Sequence, residues 1–515
     1  MATAPDTDVD PLTALAATAG QKPAVIDPDT GTRTTFAELE DAANRLARGL
    51  LALGLAPGDR IVWCGPNSLP VLTILHAARK AGLVAVPLSY RFTGEEMRYM
   101  IDDSGASVVV IGAEQAPKIA DAPLPAVRHV VVYGGAPTAG ALAWDDVLAS
   151  GAPDPLPGGA STGAAMIYTS GTTGRPKGAL RDRTDPTMTA TLVQLLRLRP
   201  GDEVHLTTGP LYHSGPLAWA SLNHLLGATI VLMRKFDAAR WLELVRTYRV
   251  TNTFTAPTPL KRIVALPPEV LARADLSSMR SLVANAAPVP YALKQEMAET
   301  LGEGFLFEVY GSTELGVDAV LEPEDQLRKP GSCGRPVPGV ELRIVGPDGE
   351  QAAAGEPGQL YVRSASTFSG YHGRGPEGDA EGWKSVGDVA YLDEEGYLYI
   401  CDRSGDLVIT GGMNVYPAEV EAVLHGHPDV LDAAVFGVPS AEWGQTVHAA
   451  IVPRAGRRLE IAALEAYLAE RLAGYKRPRS WEVREELPRT ESGKLLKRVL
   501  RAEYDARTGD AAQLS

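Results

Sequence analysis

The reactive chemistry of this chain concentrates in Tyr168-Thr-Ser-Gly-Thr-Thr-Gly-Arg-Pro-Lys-Gly178. Hydroxyl residues, glycines, one arginine and one lysine fall within a single short stretch. Glycines let backbone N–H groups approach an anion closely. Hydroxyls and successive N–H groups can then line a concave nest around phosphate oxygens. Lys177 adds a point charge that suits phosphate. The apolar residues Met166 to Tyr168 just before it read as a strand. A generic Gly/Ser/Thr string is usually a solvated loop, but this density of anion-binding groups favours phosphate. The pattern is not the Gly-Lys-Ser/Thr loop of kinases and GTPases, because Pro176 precedes Lys177.

Four further segments belong with it: Glu308-Val-Tyr-Gly-Ser-Thr-Glu314, Ser385-Val-Gly-Asp388, Asp402-Arg-Ser-Gly-Asp-Leu-Val-Ile-Thr-Gly-Gly-Met-Asn-Val-Tyr-Pro417 and Pro488-Arg-Thr-Glu-Ser-Gly-Lys494. In this order, across nearly the whole chain, the five resemble the signature segments of adenylate-forming enzymes: acyl-CoA synthetases, stand-alone adenylation domains and luciferases. The resemblance implies ATP, Mg²⁺ and coenzyme A as ligands. It implies that Thr169, Ser170, Gly171, Thr172, Thr173, Gly174 and Lys177 cradle the phosphates, with Thr169 and Glu314 at the metal. Ala286, Tyr310, Gly311 and Thr313 are implied around the adenine and the acid. Asp388 and Arg403 are implied at the ribose. Lys494 is implied as the catalytic cation of adenylation, and Gly411 and Gly412 as walls of a pantetheine tunnel. His213, in Pro210-Leu-Tyr-His-Ser214, matches a position that gates the acyl pocket.

Each role has a physical rationale and an ordinary alternative. Glu314 is a hard oxygen ligand suited to Mg²⁺, or else a carboxylate at a helix start. Tyr310 stacks on adenine or fills a core. Asp388 accepts from ribose hydroxyls, as acidic residues do in other nucleotide sites, or forms a turn after Gly387. Lys494 stabilises charge gathered where a carboxylate meets a phosphate. A lone histidine such as His213 is as often packed as functional.

Some matches fail on context. Gly373-Arg-Gly-Pro-Glu-Gly378 has a proline inside it and no helix after it, which excludes a dinucleotide fingerprint. Gly159-Ala-Ser-Thr-Gly163 lies in a Pro/Gly connector without a preceding strand, which excludes a hydrolase elbow. His425 and His427 make a poor metal clamp without further ligands. Cys64, Cys333 and Cys401 are far apart and odd in number, against a disulfide framework or zinc site.

The elements that position these groups alternate helix and strand. Thr35-Phe-Ala-Glu38 and Thr93-Gly-Glu-Glu96 fit capping boxes. Leu39, Ala43, Leu46, Leu50 and Leu53 recur at helical spacing. Strand signals fall at 60–64, 83–87, 107–111, 229–233, 251–255, 280–284 and 305–309. Helix signals fall at 68–81, 238–248, 291–301 and 461–472. Such alternation implies parallel sheets covered on both faces. From 331 to 400, short strands (341–345, 359–362, 397–401) among Gly and Pro suggest a small antiparallel or barrel-like section. The expected fold is therefore α/β: a large N-terminal domain (1–404) of two βαβ-type subdomains plus a small distorted β-barrel, and a small mobile α+β C-terminal domain (405–515) carrying Lys494.

The chain has 515 residues, 49 Lys and Arg against 63 Asp and Glu, and a net charge of −14. That acidity disfavours a nucleic-acid partner. No apolar run approaches the ~20 residues of a membrane span, and the acidic start lacks the features of a secretory signal. A cytoplasmic, bacterial enzyme of fatty-acid metabolism, monomeric or homodimeric, is the expectation.

The resemblance implies a carboxylate–CoA ligase working through acyl-AMP on a fatty, steroid-side-chain, aryl or cinnamyl acid. Arg181 and Arg183 resemble the fatty-acid and steroid-acid ligases in this respect. Three positions depart from the usual pattern. The hinge position is Gly405, without a side chain to favour one pose. Gly358-Gln-Leu360 replaces Gly-Glu-Leu. Asn285 brings a polar group near the adenine or acid. The alternatives are an adenylating enzyme serving another acceptor, such as a carrier protein, an amine or nitrite, and an inactive nucleotide-binding homologue.

Overall fold

The computed structural model describes residues 9–120, 123–157, 164–169, 176–182, 185–374, 377–403, 405–440, 442–490 and 495–513. Ser170, Gly171, Thr172, Thr173, Gly174 and Lys494 lie outside the described residues.

Two large sheets organise the first four hundred residues. In the nine-stranded sheet, Thr229–Leu232, Val204–Thr207, Asn252–Thr255, Ser281–Ala284 and Leu306–Ser312 run parallel in that order. Antiparallel strands close its edges, including Gly316–Leu321 beside Leu306–Ser312. In the eight-stranded sheet, Val84–Leu88, Arg60–Cys64, Val108–Gly112 and His129–Tyr133 are parallel. The hairpin Ala164–Thr169/Lys177–Arg181 and the short strand Gly370–Tyr371 form its other side. The central strands are near-continuous Val and Ile because both their faces are covered.

Helices Phe36–Ala52, Leu69–Lys80 and Ser214–Leu225 supply the filling between the sheets. Leu39, Leu46, Leu50, Ile74, Ala77 and Ala220 join Trp63 and Val110 of one sheet and Ile230 of the other in one buried cluster. Each fully buried leucine there contributes roughly 2 kcal/mol. The two expected capping boxes are present, each with its threonine side chain and glutamate reciprocally bonded. Gly105 then ends the second of these helices in the left-handed conformation that an L side chain resists.

The section expected as a small barrel is a four-stranded antiparallel sheet of Glu341–Val345, Gly358–Arg363, Asp388–Leu392 and Leu398–Arg403. A bridge between Gly334 and Leu398 ties it to the nine-stranded sheet. Beyond it, a long hairpin, Val430–Ser440 and Gly444–Pro453, centres a five-stranded sheet. Helices Pro417–His425 and Ile461–Ala469 cover one face of it, and Leu487, Leu500 and Tyr504 the other. Burial pushes the thiols of Cys64, Cys333 and Cys401 up to about 12.

Candidate active site

A cavity of about 2100 Å³ opens where both large sheets and the C-terminal residues meet. Thr169, Lys177, His213, Ala286, Gly311, Thr313, Glu314 and Arg403 all line it. Residues far apart in sequence thus converge on one space.

Glu314 stands at the centre of its polar wall. Its Oε1 accepts from the Thr169 hydroxyl (3.0 Å) and from the Tyr371 hydroxyl (2.9 Å). Lys177 Nζ lies 5.4 Å from the centre of the Tyr371 ring, a cation–π distance. Burial, and next to it the Glu314 charge, raises the Tyr371 phenol, so it stays a donor. Tyr371 arrives by strand pairing, opposite Ala179 on the strand that begins at Lys177. Behind this group Arg181 acts as a strut, donating to the carbonyls of Thr313 and Ser366, both at 2.8 Å. Burial weakens the hold of its guanidinium on its proton, and the nearby Asp318 and Glu314 offset this only in part. Asp318 is fully buried, with neither oxygen hydrogen-bonded among the described residues, and burial pushes its carboxyl well up.

The second polar cluster is built across the antiparallel pair Asp388–Leu392/Leu398–Arg403, in which Asp388 and Arg403 are register partners. Tyr310 donates its hydroxyl proton to Asp388 Oδ2 at 2.5 Å, and Arg403 Nε lies 3.3 Å from Asp388 Oδ1. The Tyr310 phenol is raised well above its usual range, first by burial and then by Asp388. Gly311 has a close-approach reason to be glycine: a Cβ there would sit 2.0 Å from the Gly316 carbonyl oxygen. Ala286 holds a φ of +75°, an uncommon conformation for a residue with a Cβ. Its neighbour Asn285 donates to the Val309 carbonyl and also faces the cavity.

The apolar wall comes from Met188 and Leu192, from Trp219 and Leu222, and from Phe254. Trp219 and Phe254 pack with centroids 4.9 Å apart, and Gly215 leaves the room that Phe254 occupies. His213 precedes the helix that carries Trp219, beside Tyr212 at 4.7 Å between rings. Thr313 donates to the Ser214 hydroxyl at 2.9 Å, joining the polar and apolar walls. From the C-terminal side, Glu486, Leu487, Pro488, Arg489 and Thr490 complete the lining. Gly411 and Gly412 do not. They turn the hairpin Val408–Thr410/Met413–Val415, both at positive φ, with Gly411 against the Trp443 ring.

The chain matches the family model of the AMP-binding enzyme over residues 12–372, and that of the AMP-binding enzyme C-terminal domain over 419–494. It belongs to the AMP-binding enzyme family. Within this adenylate-forming superfamily it is acyl-CoA synthetase-like. Feruloyl-CoA synthase of Amycolatopsis sp is 40% identical over 92% of this chain and 94% of its own length. The long-chain-fatty-acid–CoA ligase FadD13 of Mycobacterium tuberculosis is 35% identical over 94% of this chain and 95% of its own. Among solved structures, ATP-bound MatB from Rhodopseudomonas palustris superposes with a TM-score of 0.86 at 30% identity, covering 96% of this chain and 99% of that one.

The donor set of the family site is compatible with a magnesium ion carried on ATP. Among the described residues no cluster of three or more His, Cys, Asp or Glu could cage a metal. Glu314 and Thr169 instead offer two hard oxygens 3.0 Å apart. Mg²⁺ is typically held by one or two protein oxygens, with waters and substrate phosphates completing the octahedron.

Sequence reasoning missed Tyr371 and the strut role of Arg181. Neither sits in a recognisable motif. Both depend on which strand lies beside Lys177–Arg181, and that is a long-range fact.

Proposed function

We propose that the chain is an AMP-forming carboxylate–CoA ligase. In the first half-reaction a carboxylate oxygen attacks the α-phosphorus of ATP, and pyrophosphate leaves with the electrons of the broken P–O bond. In the second, the CoA thiolate attacks the acyl carbon of acyl-AMP. AMP leaves, giving the thioester. The observation that carries this reading is the convergence on one cavity of the Thr169–Glu314 pair, of Arg403, which holds Asp388 at 3.3 Å, and of the C-terminal segment Glu486–Thr490.

Asp388 and Arg403 hold the ribose, with Tyr310 orienting Asp388. Adenine lies against Ala286, Tyr310 and Gly311. Lys177 and the segment Ser170-Gly-Thr-Thr-Gly174 hold the phosphates. Glu314 and Thr169 would hold magnesium, which when bound neutralises phosphate charge. Tyr371 keeps Glu314 Oε1 aimed into the cavity. Lys494, four residues beyond Thr490 in the chain, supplies the cation for the charge that gathers at the α-phosphate. Residues 1–404 form the adenylation domain. Residues 405–515 form a domain that rotates after the first step and brings Gly411 and Gly412 to the pantetheine arm. His213 borders the acid where its carboxylate must lie. The apolar wall of Met188, Leu192, Trp219, Leu222 and Phe254 supports an apolar acid, aromatic or aliphatic, in keeping with the names of the two relatives. The enzyme is placed in the cytoplasm, where ATP and CoA are supplied. No helix among the described residues is long and apolar enough to cross a membrane.

The test is pyrophosphate and AMP release across fatty, steroid-side-chain, benzoic and cinnamic acids, each with and without CoA. Thioester formed only with CoA supports the ligase and identifies the acid. Pyrophosphate release indifferent to CoA, with no thioester, would move the acceptor to a carrier protein, an amine or nitrite. Silence across the panel would count against the reading.

A further inference from the structure

Away from the hinge, a direct tie joins the two parts of the molecule. Lys261 lies on the helix Pro257–Val264, whose neighbours Thr258, Pro259 and Arg262 line the reaction cavity. Its ammonium reaches out and donates to the Leu431 carbonyl at 2.7 Å. Leu431 belongs to the long C-terminal strand Val430–Ser440.

The residue after Leu431 gives this contact its reach. Asp432 takes Arg489 in a forked pair, with Nη2 at 2.8 Å from each carboxylate oxygen and Nε at 3.2 Å from Oδ2. Such bidentate pairs fix geometry as well as charge. Arg489 belongs to the segment Glu486–Thr490 that lines the cavity, and it forms an antiparallel bridge with Leu495. His425 Nε2 stands 3.8 Å from the same carboxylate. Burial weakens the hold of Lys261 on its proton, and the Asp432 charge offsets this only in part, against Arg489 and Arg454. The Lys261 cation is thus bonded to the backbone one residue before the Asp432–Arg489 pair.

We propose that Lys261 is a positioning residue for the first half-reaction: through the Leu431 carbonyl and the Asp432–Arg489 pair beside it, it docks the C-terminal domain in the pose that presents Glu486–Thr490 to the cavity. This rests on the ligase reading above. A rotation of that domain must break the Lys261 contact, since donor and acceptor stand on opposite sides of the hinge. The second half-reaction therefore has no use for it. Lys261→Met and Lys261→Arg separate these roles, because arginine keeps the charge and the donors while methionine keeps only the length.

The experiment uses the full chain and the best acid from the panel. Single-turnover pyrophosphate release reports the first step. Thioester formation from synthetic acyl-AMP and CoA reports the second. For Lys261→Met the first step is expected to fall at least about tenfold, toward the roughly hundredfold that a 1 Å misplacement can cost, with the second step unchanged within about twofold. Lys261→Arg is expected to recover most of the loss. Equal losses in both steps, or none in either, would overturn the proposal, as would a fall in melting temperature that accounts for the loss. Absence of pyrophosphate release from the unaltered chain with every acid would overturn the ligase reading first, and this one with it.

Discussion

At the scale of single residues, the site is a set of carboxylates whose oxygens are each given a task. Glu314 spends one oxygen on two hydroxyl donors, Thr169 and Tyr371. In the proposed reaction that same oxygen and the Thr169 hydroxyl face the metal. Glu314→Gln removes the charge and keeps the shape. Pyrophosphate release is expected to fall at least about a hundredfold, as loss of a transition-state stabiliser does, with melting temperature little changed. Tyr371→Phe removes one donor to a carboxylate. It is expected to cost about tenfold, or on the order of 1.5 kcal/mol, read as a higher magnesium concentration for half-maximal rate. The sequence singles out Glu314, Asp388 and Arg403 because each stands in a short motif that contains a glycine; Glu314 and Arg403 line the cavity, and Asp388 pairs with Arg403. Tyr371 was not, since its place depends on the pairing of Gly370–Tyr371 with Lys177–Arg181.

At the scale of elements, local rules read well where the signal is local. The capping boxes at Thr35 and Thr93 and the strand at Arg60–Cys64 lie where the sequence puts them. The helix expected over 461–472 ends at Ala469, because its last turn loosens into the loop before Tyr475. The hairpin Val430–Ser440/Gly444–Pro453 was not legible. Both strands are covered on two faces, so their apolar runs lack the alternation that marks a half-exposed strand. A buried triad locks this region to the end of the preceding sheet. Lys497 lies 2.9 Å from Glu421 and 3.8 Å from Asp402, and Ala418 N donates to Asp402 at 3.1 Å. Glu421 and Asp402 raise the Lys497 ammonium against its burial. Lys497→Met leaves two buried carboxylates facing each other. A loss of about 3–5 kcal/mol is expected from breaking such a pair, visible in urea denaturation as a lower midpoint for the C-terminal domain.

At the scale of the molecule, two features govern behaviour. The first is the store of buried neutral histidines between the sheets. His205 donates from Nδ1 to Asn252 (2.6 Å), and His224 lies 2.9 Å from His76. Burial lowers both His205 and His224 to about 4. Below pH 6.5 the unfolded chain binds more protons than the folded one. Stability is therefore full above 6.5 and is lost as the pH falls toward 4, by on the order of 3 kcal/mol for each histidine. Melting temperatures measured from pH 8 to 4 should stay level and then drop below 6.5. In the double variant His205→Asn/His224→Gln the drop should shrink. The second feature is the proposed hinge. A Cβ at Gly405 would meet nothing within 4 Å, so packing does not require glycine there. Gly405→Asp is expected to leave the melting temperature unchanged while slowing the step that follows domain rotation, because a side chain narrows the backbone's range. An equal effect on both half-reactions would refute that division.

The three thiols carry a consequence for the enzyme's own safety. An acyl-adenylate is a mixed anhydride, and any thiolate within reach would open it. The proposed second step depends on one thiolate, that of CoA. Burial holds Cys333, near Glu308 and Asp388, and the other two cysteines near pKa 12. At neutral pH that leaves about one thiolate in 10⁵ at each position. None of the three lines the cavity either, so in the proposed reaction the activated acyl group waits for the one sulfur that arrives from outside.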